Sequence, residues 1–543
     1  AKIRKDMVKD RGYVALLSFS NVAVKTFKKD YEKYIFTANS NNNIRQDRVV
    51  IETLDSFLTT NILRPHASRT MKCTSTPYLI SGNESFLLNA NYKFWANKED
   101  GSSYPIEPSE VNNIRIKRTP KKMEFFIKNK NKIHGINNGE SVTKSLGELG
   151  AYTHEMGKLW ACKVLSEQKN VLLALAKRYP HIIVDEAQDL DPLHGFLIRK
   201  LMNAGVKVSL IGDPNQAIYE FNGANGQFLK NFNEADSELQ LPLSKNYRSI
   251  KDILDISNNL SGSKDQHDRP KKDQRFGAYY VVYDPKRSTE VMNRFAKKIQ
   301  LYGIDLKNSS VLFRGRARAD RFKGLNTQLG QGKIRLLVEA TVYRDVHNNY
   351  YEAYKKLTAC IIGLLSGDPK NISSLISSHS IPYELEALRR KLWKFVRCPD
   401  YGLPPSSLKA KSEWHPIVKK RVLTLLDEIE RDHGYLPVGN LGNKLSAAKL
   451  NETTIASAIN SEEVKNIRID TVHQAKGESL SAVLYLATAR EHIDDMLSGT
   501  DTEIGRIGYV ALTRAKDLFI LGVPKSFANE FIPLLKDKGF EEW

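Results

Sequence analysis

The stretch His181-Ile182-Ile183-Val184-Asp185-Glu186-Ala187-Gln188-Asp189 decides the fold. A continuous apolar run such as Ile182–Val184 suits a parallel strand buried on both faces. Open α/β sheets present their ligands at the carboxyl ends of such strands. Two adjacent carboxylates stand at that end. Asp185 can hold a Mg²⁺ ion through its hard oxygens. Glu186, pointing to the other side, can orient and deprotonate a water for in-line attack on a γ-phosphate. An isolated Asp-Glu pair reads more simply as a solvated acidic turn. The full D-E-A-Q-D behind a buried strand argues against that simpler reading.

Outward from this point, strand and helix patterns alternate. Asp191 is placed to cap a helix, with Pro192 at its first position, Leu193–Asn203 as its body and Gly205 beyond its end. The next apolar run, Val206–Ile211, ends in Gly212-Asp213-Pro214-Asn215-Gln216-Ala217-Ile218-Tyr219-Glu220-Phe221. Gln216 offers an amide that can sense a γ-phosphate or its water, and Phe221 offers a face for stacking a base. A turn followed by ordinary core aromatics is the alternative. Further strands are predicted at Tyr13–Phe19, Tyr279–Tyr283, Ser310–Phe313, Ile467–Val472, Val483–Ala487 and Leu518–Val523. They form two groups, each interrupted by a long insertion, which predicts two open parallel sheets. The first insertion runs from about Pro65 to Gly150. The second runs from about Asp345 to Ser461 and has strongly helical patterns.

Composition narrows the partner. The chain has 543 residues, which suggests three or four domains at ~150 residues each. Lys plus Arg is 82 against 62 for Asp plus Glu, a net charge of +20 that calls for a polyanion. Apolar residues at 41% and charged residues at 27% exclude a wholly disordered chain. Cys73, Cys162, Cys360 and Cys398 lie far apart, form no metal-ligand spacing and suit a reducing compartment. No apolar run reaches the ~18 residues of a membrane span. The densest basic stretch is Ile114–Lys132, where Arg115, Lys117, Arg118, Lys121, Lys122, Lys128, Lys130 and Lys132 face the single acid Glu124 and interleave with Phe125 and Phe126. It reads either as a phosphate-tracking surface, with Lys121, Lys122 and Lys128 as its contacts, or as a solvated basic loop.

D-E-A-Q-D followed by G-D-P-N-Q-A-I-Y-E-F resembles motifs II and III of the UvrD/Rep/PcrA-like superfamily 1 helicases. Other segments agree in order. Leu17-Ser18-Phe19-Ser20-Asn21 resembles motif Ia. Thr53-Leu54-Asp55-Ser56-Phe57 resembles motif Ib, with Asp55 where the family more often has His. Asn246-Tyr247-Arg248-Ser249 resembles motif IV, Asp470–Glu478 motif V and Tyr509–Lys516 motif VI. Glu478 directly follows Gly477, where Gly-Leu-Glu is commoner.

The resemblance implies two RecA-like domains, each with a largely helical insertion. The expected division is 1–64 with 151–249 for the first motor domain, 65–150 for its insertion, 250–344 with 462–543 for the second motor domain, and 345–461 for its insertion. It implies ATP and Mg²⁺ as ligands. Asp185 is the expected metal ligand, and Glu186, Gln216, Arg248 and Arg514 the expected catalytic set. Tyr247 is expected on adenine and Glu478 on the ribose, with Gln216, Arg248 and Arg514 on the phosphates. Phe19, Asn21, Thr53, Phe57, Phe221, Thr471 and His473 are expected on nucleic acid. The activity implied is ATP-dependent translocation on single-stranded DNA and unwinding of tailed duplexes, 3′ to 5′, in the cytoplasm and nucleoid of a bacterium, with a separate nuclease or a repair or defence complex as a further partner. A phosphate loop of the form G-x-x-x-x-G-K-[ST] is expected ahead of motif Ia. Gly157-Lys158 and Gly332-Lys333 do not fit it, because Tyr152 and Thr327 stand where its first glycine should. Two readings follow: a chain starting just after the loop, or a degenerate relative that binds or scaffolds DNA without hydrolysing ATP. As it stands, the chain is expected to hydrolyse Mg-ATP poorly.

Overall fold

The computed structural model describes residues 12–39, 48–119, 122–129, 132–220, 223–235, 240–322, 329–377, 381–456 and 467–543. The chain packs as two compact units: Ala1–Leu58, Leu165–Asp320 and Glu462–Trp543 form one, Thr59–Val164 and Arg321–Ser461 the other.

The first unit holds two parallel sheets. One is four-stranded, in the order Lys207–Leu210, His181–Val184, Val14–Ser18, Val49–Thr53. Every neighbouring pair in it is parallel. Chain order reverses between Val14–Ser18 and His181–Val184, so the ends of these strands flank a topological switch point, where such sheets bind ligands. The second sheet is six-stranded, in the order Arg468–Thr471, Ser309–Phe313, Leu480–Leu486, Ala515–Pro524, Gly277–Tyr283, Glu541–Glu542, and is also parallel throughout. Its central strands are apolar without alternation because helices cover both faces: Ala482–Ala487 and Leu518–Leu521 are wholly buried. The anticipated strands all appear. Val49–Thr53 and the short edge strand Glu541–Glu542 are additional.

The second unit departs from expectation in its first half. The expected first insertion is largely helical, whereas the structure has a five-stranded antiparallel sheet there, in the order Ser103–Pro105, Trp95–Asn97, Lys132–Ile136, Met123–Asn129, Arg115–Arg118. The basic stretch is a set of paired strands, not a loop. Ile116 pairs with Phe125 and Phe125 with Ile136, and all three are buried, as is Ile127. The intervening residues Lys117 and Lys128 point to solvent. Lysines on the open face hide the apolar period from a reading by charge. Gly139 lies against Phe125: a Cβ there would sit 2.2 Å from the ring. The second half is helical as expected, around a core that includes Leu357, Phe395, Trp414 and Leu426. The packing division falls at Ser461/Glu462, where a boundary is expected, and at Leu58/Thr59, Val164/Leu165 and Asp320/Arg321, where none is. The Gly332–Asp345 helix explains the last of these, since its Ile334, Leu337 and Val338 join that helical core.

Candidate nucleotide cleft and nucleic-acid track

Asp185 and Glu186 emerge from the His181–Val184 strand as expected. The Asp185 amide donates to the Leu17 carbonyl at 2.8 Å, and the Ser18 hydroxyl donates to Asp185 Oδ2 at 3.3 Å. The carboxylate therefore spans the switch point. Burial, then the neighbouring Glu186, pushes Asp185 up to about 6. A bound cation would relieve both effects. Glu186 adopts a left-handed backbone, φ +56°, which is unusual for a residue with a Cβ. The turn is pinned: Ala187 N donates to Ile211 O at 2.8 Å, and Gln188 Nε2 donates to Glu186 Oε2 at 2.5 Å.

The second sheet supplies the cations. Lys476 Nζ donates to both oxygens of Asp189 at 2.6 Å and to the Gln216 carbonyl at 2.7 Å, and lies 4.0 Å from Glu186 Oε2. Burial raises the Asp189 carboxyl to about 7 against the pull of Lys476. Arg514 is fully buried at the end of the Glu503–Arg514 helix. Its Nη2 donates to Gln216 Oε1 at 2.8 Å and its Nη1 to the Glu478 carbonyl at 3.2 Å. Among the described residues its Nε has no partner. Burial, then the charge of Arg248, pulls Arg514 down to about 10. Burial also lowers Arg248, whose Nη1 donates to the Thr513 carbonyl at 3.2 Å. Gln216 Nε2 donates to Asp213 Oδ2 at 2.9 Å, and Tyr509 reaches the same oxygen at 3.4 Å.

Asp185, Glu186 and Gln216 at the end of the first sheet thus converge with Arg514 of the second and with Arg248 from the segment after Lys245–Asn246. A buried guanidinium with an orphaned N–H, repelled by the half-buried guanidinium of Arg248, fits an anionic ligand. With Asp185 opposite, the donor set fits a nucleotide phosphate with its Mg²⁺. Tyr247 is 67% exposed beside this cluster, with Lys245 Nζ 5.1 Å from its ring centre. Glu478, expected on the ribose, is already engaged. Arg468 grips its carboxylate at 2.5 and 2.9 Å, so a ribose would have to compete with a guanidinium.

A model of the UvrD/REP helicase N-terminal domain matches residues 2–237, and one of the UvrD-like helicase C-terminal domain matches residues 384–525. The chain belongs to the UvrD/Rep-like superfamily 1 helicases. Among relatives, a "Probable DNA helicase II homolog" of Mycoplasma capricolum is 24% identical over 70% of this chain and 60% of its own length. A protein of the same description from Mycoplasma genitalium is 24% identical over 68% of this chain and 59% of its own. The RecBCD enzyme subunit RecB of Borreliella burgdorferi is 35% identical over 18% of this chain and 8% of its own. This UvrD-like chain therefore spans about three fifths or less of the length of these relatives. Helicases of the family use ATP and Mg²⁺.

The expected nucleic-acid residues of this UvrD-like chain divide. Phe19 is half-buried just past the Val14–Ser18 strand, edge-on to His194 with ring centres 5.4 Å apart. Asn21 opens the following helix and is exposed. Thr53 Oγ1 accepts from the Ser56 amide at 3.2 Å, which fixes the turn after its strand. Phe57 does not fit its expected role: it is 1% exposed, packed edge-on to Tyr179 at 5.0 Å. The Thr53–Phe57 pattern resembles a contact motif, but the helix turns its aromatic into the core. Thr471 is buried, and its hydroxyl caps the Val472–Ala475 helix in a reciprocal capping box with Gln474. His473 faces the first sheet's loop, Nε2 to the Ile218 carbonyl at 2.9 Å, and burial lowers its pKa. Lys122 and Lys128 are exposed in the second unit. Phe221 and Lys121 lie outside the described residues. Reasoning from sequence missed Ser18, Gln188, Lys476 and Arg506, although the first three sit inside quoted motifs.

Among the described residues, no helix is long and apolar enough to cross a membrane.

Proposed function

We propose that this protein couples ATP hydrolysis to translocation along single-stranded DNA and to unwinding of tailed duplexes, 3′ to 5′. One observation carries the reading: Glu186 and Gln216 at the end of the first sheet meet Arg514 of the second and Arg248, which follows the short Lys245–Asn246 strand between them in sequence. Asp185, with the Ser18 hydroxyl on its oxygen, would hold the Mg²⁺. That ion would neutralise charge on the phosphates. Glu186, fixed by Gln188 and facing Lys476, orients and deprotonates the attacking water. Arg248 and Arg514 place positive charge where it develops in transfer, a contribution of ~10³–10⁵ in rate for an arginine finger. Tyr247 stacks the base. Hydrolysis thereby depends on the relation between two sheets, as a motor requires. Phe19 and Phe221 supply stacking, worth ~1–3 kcal/mol per base whatever the sequence. Lys121, Lys122 and Lys128 add phosphate contacts.

The test is ATPase of the full-length protein with and without single-stranded DNA, alongside unwinding of 3′-tailed and 5′-tailed duplexes. Stimulation by DNA with a 3′-tail preference is expected. DNA binding without any ATPase would instead favour a non-catalytic binding or scaffolding subunit. A further reading, a helicase subunit working beside a separate nuclease in repair or defence, draws support from the RecB similarity. ATP-dependent DNA degradation by a co-purifying nuclease would establish it.

A further inference from the structure

The Glu503–Arg514 helix grips one short segment of the first sheet, Asp213–Glu220, at both of its ends. At the carboxyl end Arg514 holds the Gln216 side chain. At the amino end Arg506, a buried residue, spends its whole fork. Its Nε donates to the Ala217 carbonyl at 2.6 Å and its Nη2 to Glu220 Oε2 at 2.8 Å. Its Nη1 donates to the carbonyls of Thr500 at 3.0 Å and Asp501 at 2.9 Å. Two neighbours reinforce the join: Thr500 Oγ1 donates to Asn215 Oδ1 at 2.7 Å, and the Glu220 amide donates to Glu503 Oε1 at 3.1 Å.

The two arginines are eight residues apart on one helix, which at ~1.5 Å per residue is ~12 Å. A helix is stiff over that distance, so its ends move together. Within the gripped segment Ala217 and Ile218 are fully buried, so close packing leaves little room to take up a displacement. A shift of Arg514 toward a phosphate must therefore be felt at Ala217 and Glu220. Glu220 directly precedes Phe221, the residue read from sequence as a base-stacking group. A passive packing contact would be expected to bury apolar groups. Here a charged fork binds three backbone carbonyls and a carboxylate, an arrangement that fixes direction as well as distance.

We propose that Arg506 is a positioning residue that transmits the state of the nucleotide cleft to the nucleic-acid side of the Asp213–Glu220 segment. The stimulation of hydrolysis by single-stranded DNA then depends on it. The proposal rests on the reading of the protein as a DNA-stimulated ATPase.

The test uses the full-length protein and its R506A, R506K and E220Q variants. Four quantities are measured: ATPase without DNA, ATPase with saturating oligothymidylate, nucleotide affinity with a fluorescent ATP analogue, and oligothymidylate affinity by anisotropy. In R506A the stimulation factor is expected to fall about tenfold, the order of coupling between linked sites, with both affinities within about twofold of wild type. R506K, whose single ammonium can satisfy only part of the fork, should recover part of the stimulation. E220Q keeps the Glu503 bond to its amide and should lose a smaller share. Stimulation of R506A to within twofold of wild type overturns the proposal. So does a parallel loss of both affinities that tracks a fall in melting temperature. If R506A does not fold, E220Q decides, and unchanged stimulation there overturns the proposal. A wild-type protein that DNA does not stimulate at all refutes the functional reading itself, a result distinct from each of these.

Discussion

Replacing Lys476 by Met probes the join between the two sheets most directly. The ammonium is nearly buried and lies 2.6 Å from both oxygens of an equally buried Asp189, with the Gln216 carbonyl at 2.7 Å. Methionine keeps the stem and removes the charge. Asp189 is then a buried carboxylate without its counter-ion, which costs about 3–5 kcal/mol. The dependence on pH has a definite sign. Burial already raises Asp189 to about 7 with Lys476 opposing it, and losing Lys476 raises it further. An ordinary carboxyl in the unfolded chain titrates near ~3.9. Between those values the folded protein keeps a proton that the unfolded chain has released. The stabilisation from that proton is complete below ~4 and is lost as pH rises through the folded value. The K476M deficit should therefore be smallest near pH 5 and largest at pH 8 and above. Urea unfolding followed by tryptophan fluorescence at pH 5, 7 and 8.5 measures it. The double variant K476M/D189N, which removes both charges at similar volume, should recover most of the loss. A K476M deficit under about 1 kcal/mol at pH 8.5, a deficit that grows toward acid, or a double variant as weak as the single would refute the reasoning.

Other outcomes follow from the same geometry. Glu186→Gln should lower DNA-stimulated hydrolysis by ~10²–10⁴ while a fluorescent ATP analogue still binds, because only proton abstraction is lost. Phe57→Ala should destabilise the first sheet by about 3–5 kcal/mol in denaturant titration and leave single-strand affinity of the folded protein unchanged. Reversing Lys121, Lys122 and Lys128 to Glu should flatten the salt dependence of single-strand binding. Each lost phosphate contact reduces the log–log slope by ~0.7, and an unchanged slope would remove this sheet face from the track.

The motor sheets were legible in the sequence because parallel strands buried on both faces leave unbroken apolar runs, as Ile182–Val184 and Leu518–Val523 do. The site was legible where function forces adjacent residue types, as in Asp185-Glu186. It was less legible where one residue serves two ends. Lys476 is plain in the sequence, but its partner Asp189 lies 287 residues away, and no local pattern pairs them. Phe57 misled for the opposite reason, since an aromatic after a strand looks the same whether it faces a base or Tyr179. The helical first insertion was what the family resemblance implied; its sheet went unread because Lys117, Lys122 and Lys128 dominate a stretch whose buried alternation, Ile116, Phe125 and Ile127, runs across two strands.

Gln216 shows why the cleft can act as a switch and not merely as a pocket. Its side chain is engaged at both ends, Oε1 by Arg514 and Nε2 by Asp213, and its carbonyl is held by Lys476. No part of that amide can turn to a nucleotide unless Arg514 lets go. Among the described residues, Arg514 in turn is held by neutral acceptors only, the Gln216 amide oxygen, the Glu478 carbonyl and the Thr513 hydroxyl, with its Nε unsatisfied and Arg248 repelling it. A guanidinium bonds an anionic oxygen roughly twice as strongly as a neutral one. A phosphate oxygen would therefore outcompete Gln216 for Arg514, satisfy the orphaned N–H and relieve the repulsion in the same movement. On the proposed function, the amide freed by that exchange would orient the attacking water, so the cation that stabilises transfer and the amide that aligns it would become available together.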